Sequence, residues 1–194
     1  MPIKKEFFDE LQKKYSPLVK NLIESNYEYI GISEPIKWGF VWDDTISITG
    51  ATNRETNLIS VNLAYVDEAY STNKPYDVEH FLIHEMRHVF QHIQIRDYKD
   101  GKETVVDPKL IELWVKETEN YITSVNKEGE VNVGYFKQDT EMDAYAFSFA
   151  VMHNKYQGKY DHQLYTPPIY KGELKELFDS AVKEFLESFY EIDK

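Results

Sequence analysis

The stretch His80-Phe-Leu-Ile-His84-Glu85-Met-Arg-His88-Val-Phe-Gln-His92 decides how the rest of the chain is read. It contains one His-Glu-x-x-His, formed by His84, Glu85 and His88. On a helix, residues four apart share a face, separated by about one turn of 5.4 Å. Two imidazoles so placed can bind one Zn²⁺, and the intervening glutamate can reach a water on that ion. Five residues with two free positions also arise by chance. The pattern carries weight only if its surroundings are helical and a third ligand follows.

The surroundings predict a helix over residues 78–95, with Asp77 as its N-cap. With His84 placed at 0° and about 100° added per residue, Leu82, Met86, Val89, Phe90 and Ile93 fall in one arc of roughly 140–240°. His80, His88 and His92 fall on the opposite side with His84, and Glu85 lies at the flank of that row. The helix therefore has an apolar back and an imidazole front, whereas a solvated front is ordinarily Lys, Glu and Arg. Four of the chain's 6 histidines sit in this row.

Upstream, Phe7, Phe8, Leu11, Tyr15, Leu18, Val19 and Leu22 recur at helical spacing over residues 3–25, and Pro17 predicts a kink or two shorter helices. Residues 36–42, 45–49 and 58–62 read as strands, with a turn at Asp43-Asp44 and a polar turn over 50–57. They predict a small antiparallel meander, either a purely structural sheet or one whose last strand borders the site and hydrogen-bonds an extended substrate. Residues 62–69 read as a loop or a helical turn.

Downstream, Asp107-Pro108 announces a helix by N-cap and N1 proline, with Leu110, Ile111, Leu113, Trp114, Tyr121 and Ile122 on its buried side. Residues 127–130 read as a turn. A further helix spans 138–153, packing through Ala144, Phe147, Ala150 and Val151. A last one spans 171–190, burying Leu174, Leu177, Phe178, Ala181, Phe185 and Phe189. The expected fold class is α+β: a mostly helical single domain with a small antiparallel sheet of about three strands preceding the motif helix.

The chain's 194 residues suit one domain with a sizeable core, and 42% hydrophobic with 29% charged residues is an ordinary globular composition. A net charge of −12 disfavours nucleic acid and anionic membranes as partners. The absence of cysteine removes disulfides, thiolate ligands and a cysteine nucleophile. The amphipathic, acidic N-terminus has no signal-peptide core, and no run reaches the roughly 18–20 apolar residues of a membrane span, so a cytoplasmic protein is expected.

Two histidines hold zinc poorly, and catalytic sites use three protein ligands with one open position. The best third ligand is Glu141, in Gln138-Asp-Thr-Glu-Met-Asp-Ala-Tyr-Ala-Phe147, whose helical face also carries Tyr145, Ser148 and Met152. Asp143 and Glu117 are alternatives. His92 and His80 lie along the same helix as His84, His80 one turn before it and His92 two turns after it, and fit better as neighbours of the site. Arg87 either pairs with a buried carboxylate that braces the site or forms an ordinary surface salt bridge.

With His84-Glu85-x-x-His88 and Glu141-x-x-Ala144, the chain resembles the gluzincin metallopeptidases, most closely their compact members. The resemblance covers these two motifs and the order helix, sheet, motif helix, ligand helix. It implies a zincin-like fold and one Zn²⁺ held by His84, His88 and Glu141. It also implies Glu85 as general base and hydrolysis of a peptide or protein substrate. Many gluzincins carry an aspartate four residues after the ligand glutamate to orient a histidine ligand; here that position is Tyr145. Tyr145, His153, Tyr156, Tyr160 and His162 are candidate donors to the oxyanion, with Tyr145 the expected catalytic residue. The alternatives are a non-catalytic zinc-binding regulatory protein on a peptidase scaffold and a helical structural protein with accidental histidines. Oligomeric state is not readable from the sequence.

Overall fold

A computed structural model describes residues 3–45, 48–125 and 130–192. Its packing divides the chain into two compact units, Met1–Phe90 and Gln91–Lys194. The element content is mostly helical, with one three-stranded sheet.

In the first unit, α1 (Lys5–Ile30) runs as a single helix straight through Pro17. Pro17 removes the hydrogen bond to the Lys13 carbonyl, but both residues face solvent, where water can take that carbonyl. The helix stops at Gly31, whose left-handed φ of 69° lets its N–H close on the Tyr27 carbonyl at 3.1 Å. Leu11, Tyr15, Val19, Ile23 and Ile30 form its buried stripe, while Phe7 and Leu18 are exposed.

The sheet comprises β1 (Lys37–Val41), β2 (Gly50–Thr52) and β3 (Leu58–Asn62), in the order β1-β3-β2. It is mixed, not the expected antiparallel meander: β2 is antiparallel to β3, but β1 is parallel to it. Two hydrogen-bonding devices force this. Asn53 accepts from the amides of Glu55 and Thr56, folding β2 back along one edge of β3. Asn62, at the end of β3, accepts from the Asp43 amide at 3.1 Å and donates to the carbonyls of Asp43 and Ile48 at 3.0 and 2.8 Å. The exit of β1 is thereby tied to the exit of β3, and only a parallel pairing satisfies that.

Two further expectations change. Of the strand expected over 45–49, Ile46 and Ser47 lie outside the described residues; Thr45, Ile48 and Thr49 are not in strand, and pairing begins at Gly50. Because β3 is central, both its edges are occupied, and it has no free edge for an extended substrate.

Paired residues share a sheet face, so Trp38, Ile59 and Thr52 form one row and Phe40, Val61 and Gly50 the next. Ile59 and Val61 are fully buried. At Gly50 the neighbours leave no room for a side chain: a Cβ would lie 2.2 Å from the Phe81 ring and 2.4 Å from the Ser60 carbonyl oxygen.

Asn62 also caps α2 (Leu63–Ser71) by accepting from the Ala64 amide, making a full helix where the sequence suggested a loop or turn. The motif helix α3 (Pro75–Lys99) starts at Pro75, so Asp77 lies in its first turn rather than capping it.

In the second unit, α4 (Pro108–Glu119) begins as expected, with the Asp107 carboxylate accepting from the Lys109 amide at 2.8 Å. Tyr121 and Ile122, expected on its buried side, lie beyond its end. Helices α5 (Asp139–Tyr156) and α6 (Glu173–Ile192) pack through Phe147 on Phe185 and Phe149 on Phe178. Phe178 is buried, but its neighbour Leu177, expected inside, is half exposed, one residue being about 100° around the helix. Of the turn expected over 127–130, residues 127–129 lie outside the described residues. Among the described residues no helix is long and apolar enough to cross a membrane.

Candidate metal centre

The motif helix is buried almost all round. Leu82, Ile83 and Met86 are fully buried on one side, and His80, His84, Glu85 and Arg87 are more than nine-tenths buried on the others. Only His88 among residues 78–91 is partly exposed. The imidazole row is therefore not a solvated face, and its polar atoms need partners inside the protein.

His84 and His88 turn their Nε2 atoms toward each other, 3.1 Å apart, with the rings at 89°. Two nitrogens on one tetrahedral zinc, each at about 2.0–2.1 Å, are separated by about 3.3–3.4 Å, so the pair nearly matches a shared ion. One ligand atom each from His84, His88 and Glu141 all lie within 4.8 Å of one another. The expected trio is thus brought together, and it is the only such group among the described residues. Two imidazoles and one carboxylate suit a divalent transition metal, and the donor set does not by itself single out zinc.

Glu141 owes its place to the start of α5. Gln138, the N-cap residue, makes no side-chain cap. Glu117 substitutes for it, its carboxylate accepting from the Asp139 and Thr140 amides at 2.6 and 2.9 Å. Glu117, an alternative ligand by sequence, is therefore a helix cap. Asp143, the other alternative, accepts from Gln91 Nε2 at 2.7 Å, and the same Gln91 nitrogen donates to the Thr140 carbonyl at 2.9 Å. Gln91, three residues after His88, so fastens the end of α3 to the first turn of α5. Glu141 sits in that turn, fully buried, where the helix dipole favours an anion.

Glu85 is held from the sheet. The Thr52 hydroxyl lies 2.7 Å from Glu85 Oε2 and 3.1 Å from the Glu85 carbonyl. The match follows from two repeats: Gly50 to Thr52 advances about 6.7 Å along a strand, and Phe81 to Glu85 advances about 6.0 Å along a helix. Close approach at Gly50 and Phe81 thus brings Thr52 onto Glu85, one step further on.

The remaining expected residues lie outside the trio. Burial first, and His84 second, push the His80 imidazole down to about 3, so it is neutral at physiological pH. His92 is outside the trio. The Arg87 guanidinium lies over the Phe90 ring at 4.4 Å. Tyr145, one turn beyond Glu141, stands in an aromatic cluster with Phe136, Tyr165 and Tyr170, at centroid separations of 5.9–6.4 Å. His153 pairs with Asp161 at 2.6 Å, and Tyr156 packs on Tyr160. Twelve residues of helix, about 18 Å, separate His153 from Glu141, so His153 and the Tyr156, Tyr160 and His162 that follow it belong to the far end of α5.

Thr52, Gln91 and Tyr135 were not singled out by the sequence, and Tyr121 was expected only as a packing residue of α4. Tyr121 donates to Glu141 Oε1 at 2.7 Å. Burial, then the Glu141 charge, push the Tyr135 hydroxyl far above its ordinary range, and a hydrogen bond to Glu141 adds to the shift. No short motif marks these positions, because each is set by long-range packing.

No protein-family model matches the chain, and comparison with curated proteins and with solved structures gave no significant match.

Proposed function

We propose that this chain is a zinc-dependent metallopeptidase. The observation that carries the reading is the convergence of one ring nitrogen each from His84 and His88 and a Glu141 carboxylate oxygen within 4.8 Å. Zinc held by these three would polarise a scissile carbonyl and make water a better acid. Glu85 follows His84 directly and stands outside the ligand trio. Its carboxylate takes a proton from water as the water oxygen bonds to the carbonyl carbon. It then gives that proton to the amine nitrogen as the C–N bond breaks. Thr52 holds the carboxylate through this exchange. Tyr145, one turn from Glu141, is the proposed donor to the developing oxyanion.

One observation favours the second reading, a zinc-binding regulatory protein without turnover: Glu141 is fully buried, and His84 and Glu85 nearly so. Closed sites are usually structural. Partly exposed His88 marks the side from which a substrate would approach.

Metal removal and restoration test both readings. Protein stripped by a chelator and titrated with zinc is expected to bind one equivalent, and hydrolysis of a mixed peptide library should vanish and return with the metal. Full occupancy without hydrolysis would favour the regulatory reading. Binding well below one equivalent would overturn both.

A further inference from the structure

Resting on the metal-site reading, we propose that Tyr121 is a positioning residue that limits Glu141 to one coordinating oxygen and so sets the affinity and coordination number of the centre. Its hydroxyl donates to Glu141 Oε1 at 2.7 Å, which leaves the other carboxylate oxygen for the ion. A carboxylate that gives one oxygen, with two imidazoles, makes a three-ligand site with one open position. A carboxylate free to give both makes a more crowded one.

The contact is built from several sides. Gln138 grips the residue after Tyr121 by both of its backbone polar groups: its Oε1 accepts from the Ile122 amide at 2.9 Å, and its Nε2 donates to the Ile122 carbonyl at 3.0 Å. Glu117, four residues before Tyr121, holds the first turn of α5 by two amides. Tyr121 and Glu141 are thus both referenced to the same helix start. The Tyr121 ring also meets Tyr135 edge-on at 6.1 Å, and, after burial, the Glu141 charge reaches the Tyr135 phenol and pushes its pKa up. A fully buried carboxylate needs such donors. These phenols take up the orienting work that an aspartate at position 145 was expected to do, but they act on the glutamate ligand rather than on a histidine.

The test is a double-mutant cycle read by metal binding. Apo protein is titrated with Zn²⁺ against a chromophoric chelator, and with Co²⁺ by its visible absorption. Tyr121→Phe, which keeps the ring, is expected to weaken Zn²⁺ binding about 10- to 100-fold. Its Co²⁺ spectrum should move from the intense four-coordinate form toward the weaker five-coordinate form. In a Glu141→Ala background the same substitution should change neither quantity, which removes any general effect on folding. Zinc affinity within twofold of the unsubstituted protein, or an equal loss in the Glu141→Ala background, would overturn the role of Tyr121. Failure of the unsubstituted protein to bind either metal would instead overturn the metal-site reading on which it rests.

Discussion

Glu85→Gln is expected to leave one equivalent of zinc bound while lowering peptide hydrolysis by about two to four orders of magnitude, the usual worth of a positioned general base. The structure makes this substitution clean. Glutamine has the shape of glutamate, and its amide oxygen can still accept the Thr52 hydroxyl that now lies 2.7 Å from Oε2. The anchoring of α3 to the sheet is therefore kept, and only the basic oxygen is lost. Metal content and hydrolysis measured on the same preparation separate the two effects. Undiminished hydrolysis would remove Glu85 from the chemistry, and loss of zinc would show that it supports the ligands.

Gly50→Val is expected to cost about 3 kcal/mol, the upper end of overpacking penalties, and to lower the melting temperature by about 6–12 °C for a chain of this size. The Cβ alone would meet the Phe81 ring at 2.2 Å and the Ser60 carbonyl oxygen at 2.4 Å. A ring can turn aside, but the carbonyl belongs to the sheet. Shrinking Phe81 to leucine in the variant should therefore recover only part of the loss. Thermal unfolding of the single and double variants checks this, and full recovery would place the whole clash on the ring. The site should suffer with the fold, since moving β2 off α3 also withdraws Thr52 from Glu85.

The three residues that could hold a metal ion were legible because their motifs are local. His84 and His88 are one turn apart, and Glu141 stands near the start of a segment whose helical period is plain. Helix α4 was legible for the same reason, through Asp107-Pro108. What escaped was set by contacts between distant segments. The parallel pairing of β1 depends on one amide, Asn62, reaching Asp43 and Ile48. The exclusion of Glu117 and Asp143 as ligands depends on their use by α5 and Gln91, partners that are 22 to 52 residues away. Periodicity could place an imidazole front on α3, but it could not show that this front is covered.

The position of β3 between its two partners carries a consequence for how the sheet assembles. Strands β2 and β3 are separated only by residues 53–57, so their pairing closes a short loop. Strand β1 must meet β3 across the whole of residues 42–57, with Lys37 opposite Leu58. Loop-closure entropy and the slowness of non-local parallel pairing both put the hairpin first and the docking of β1 later. In denaturant-jump kinetics, weakening the Asn53–Asn57 turn should slow folding, and weakening β1 should chiefly hasten unfolding. Asn62 would then be the latch that closes last, holding β1 once it has arrived.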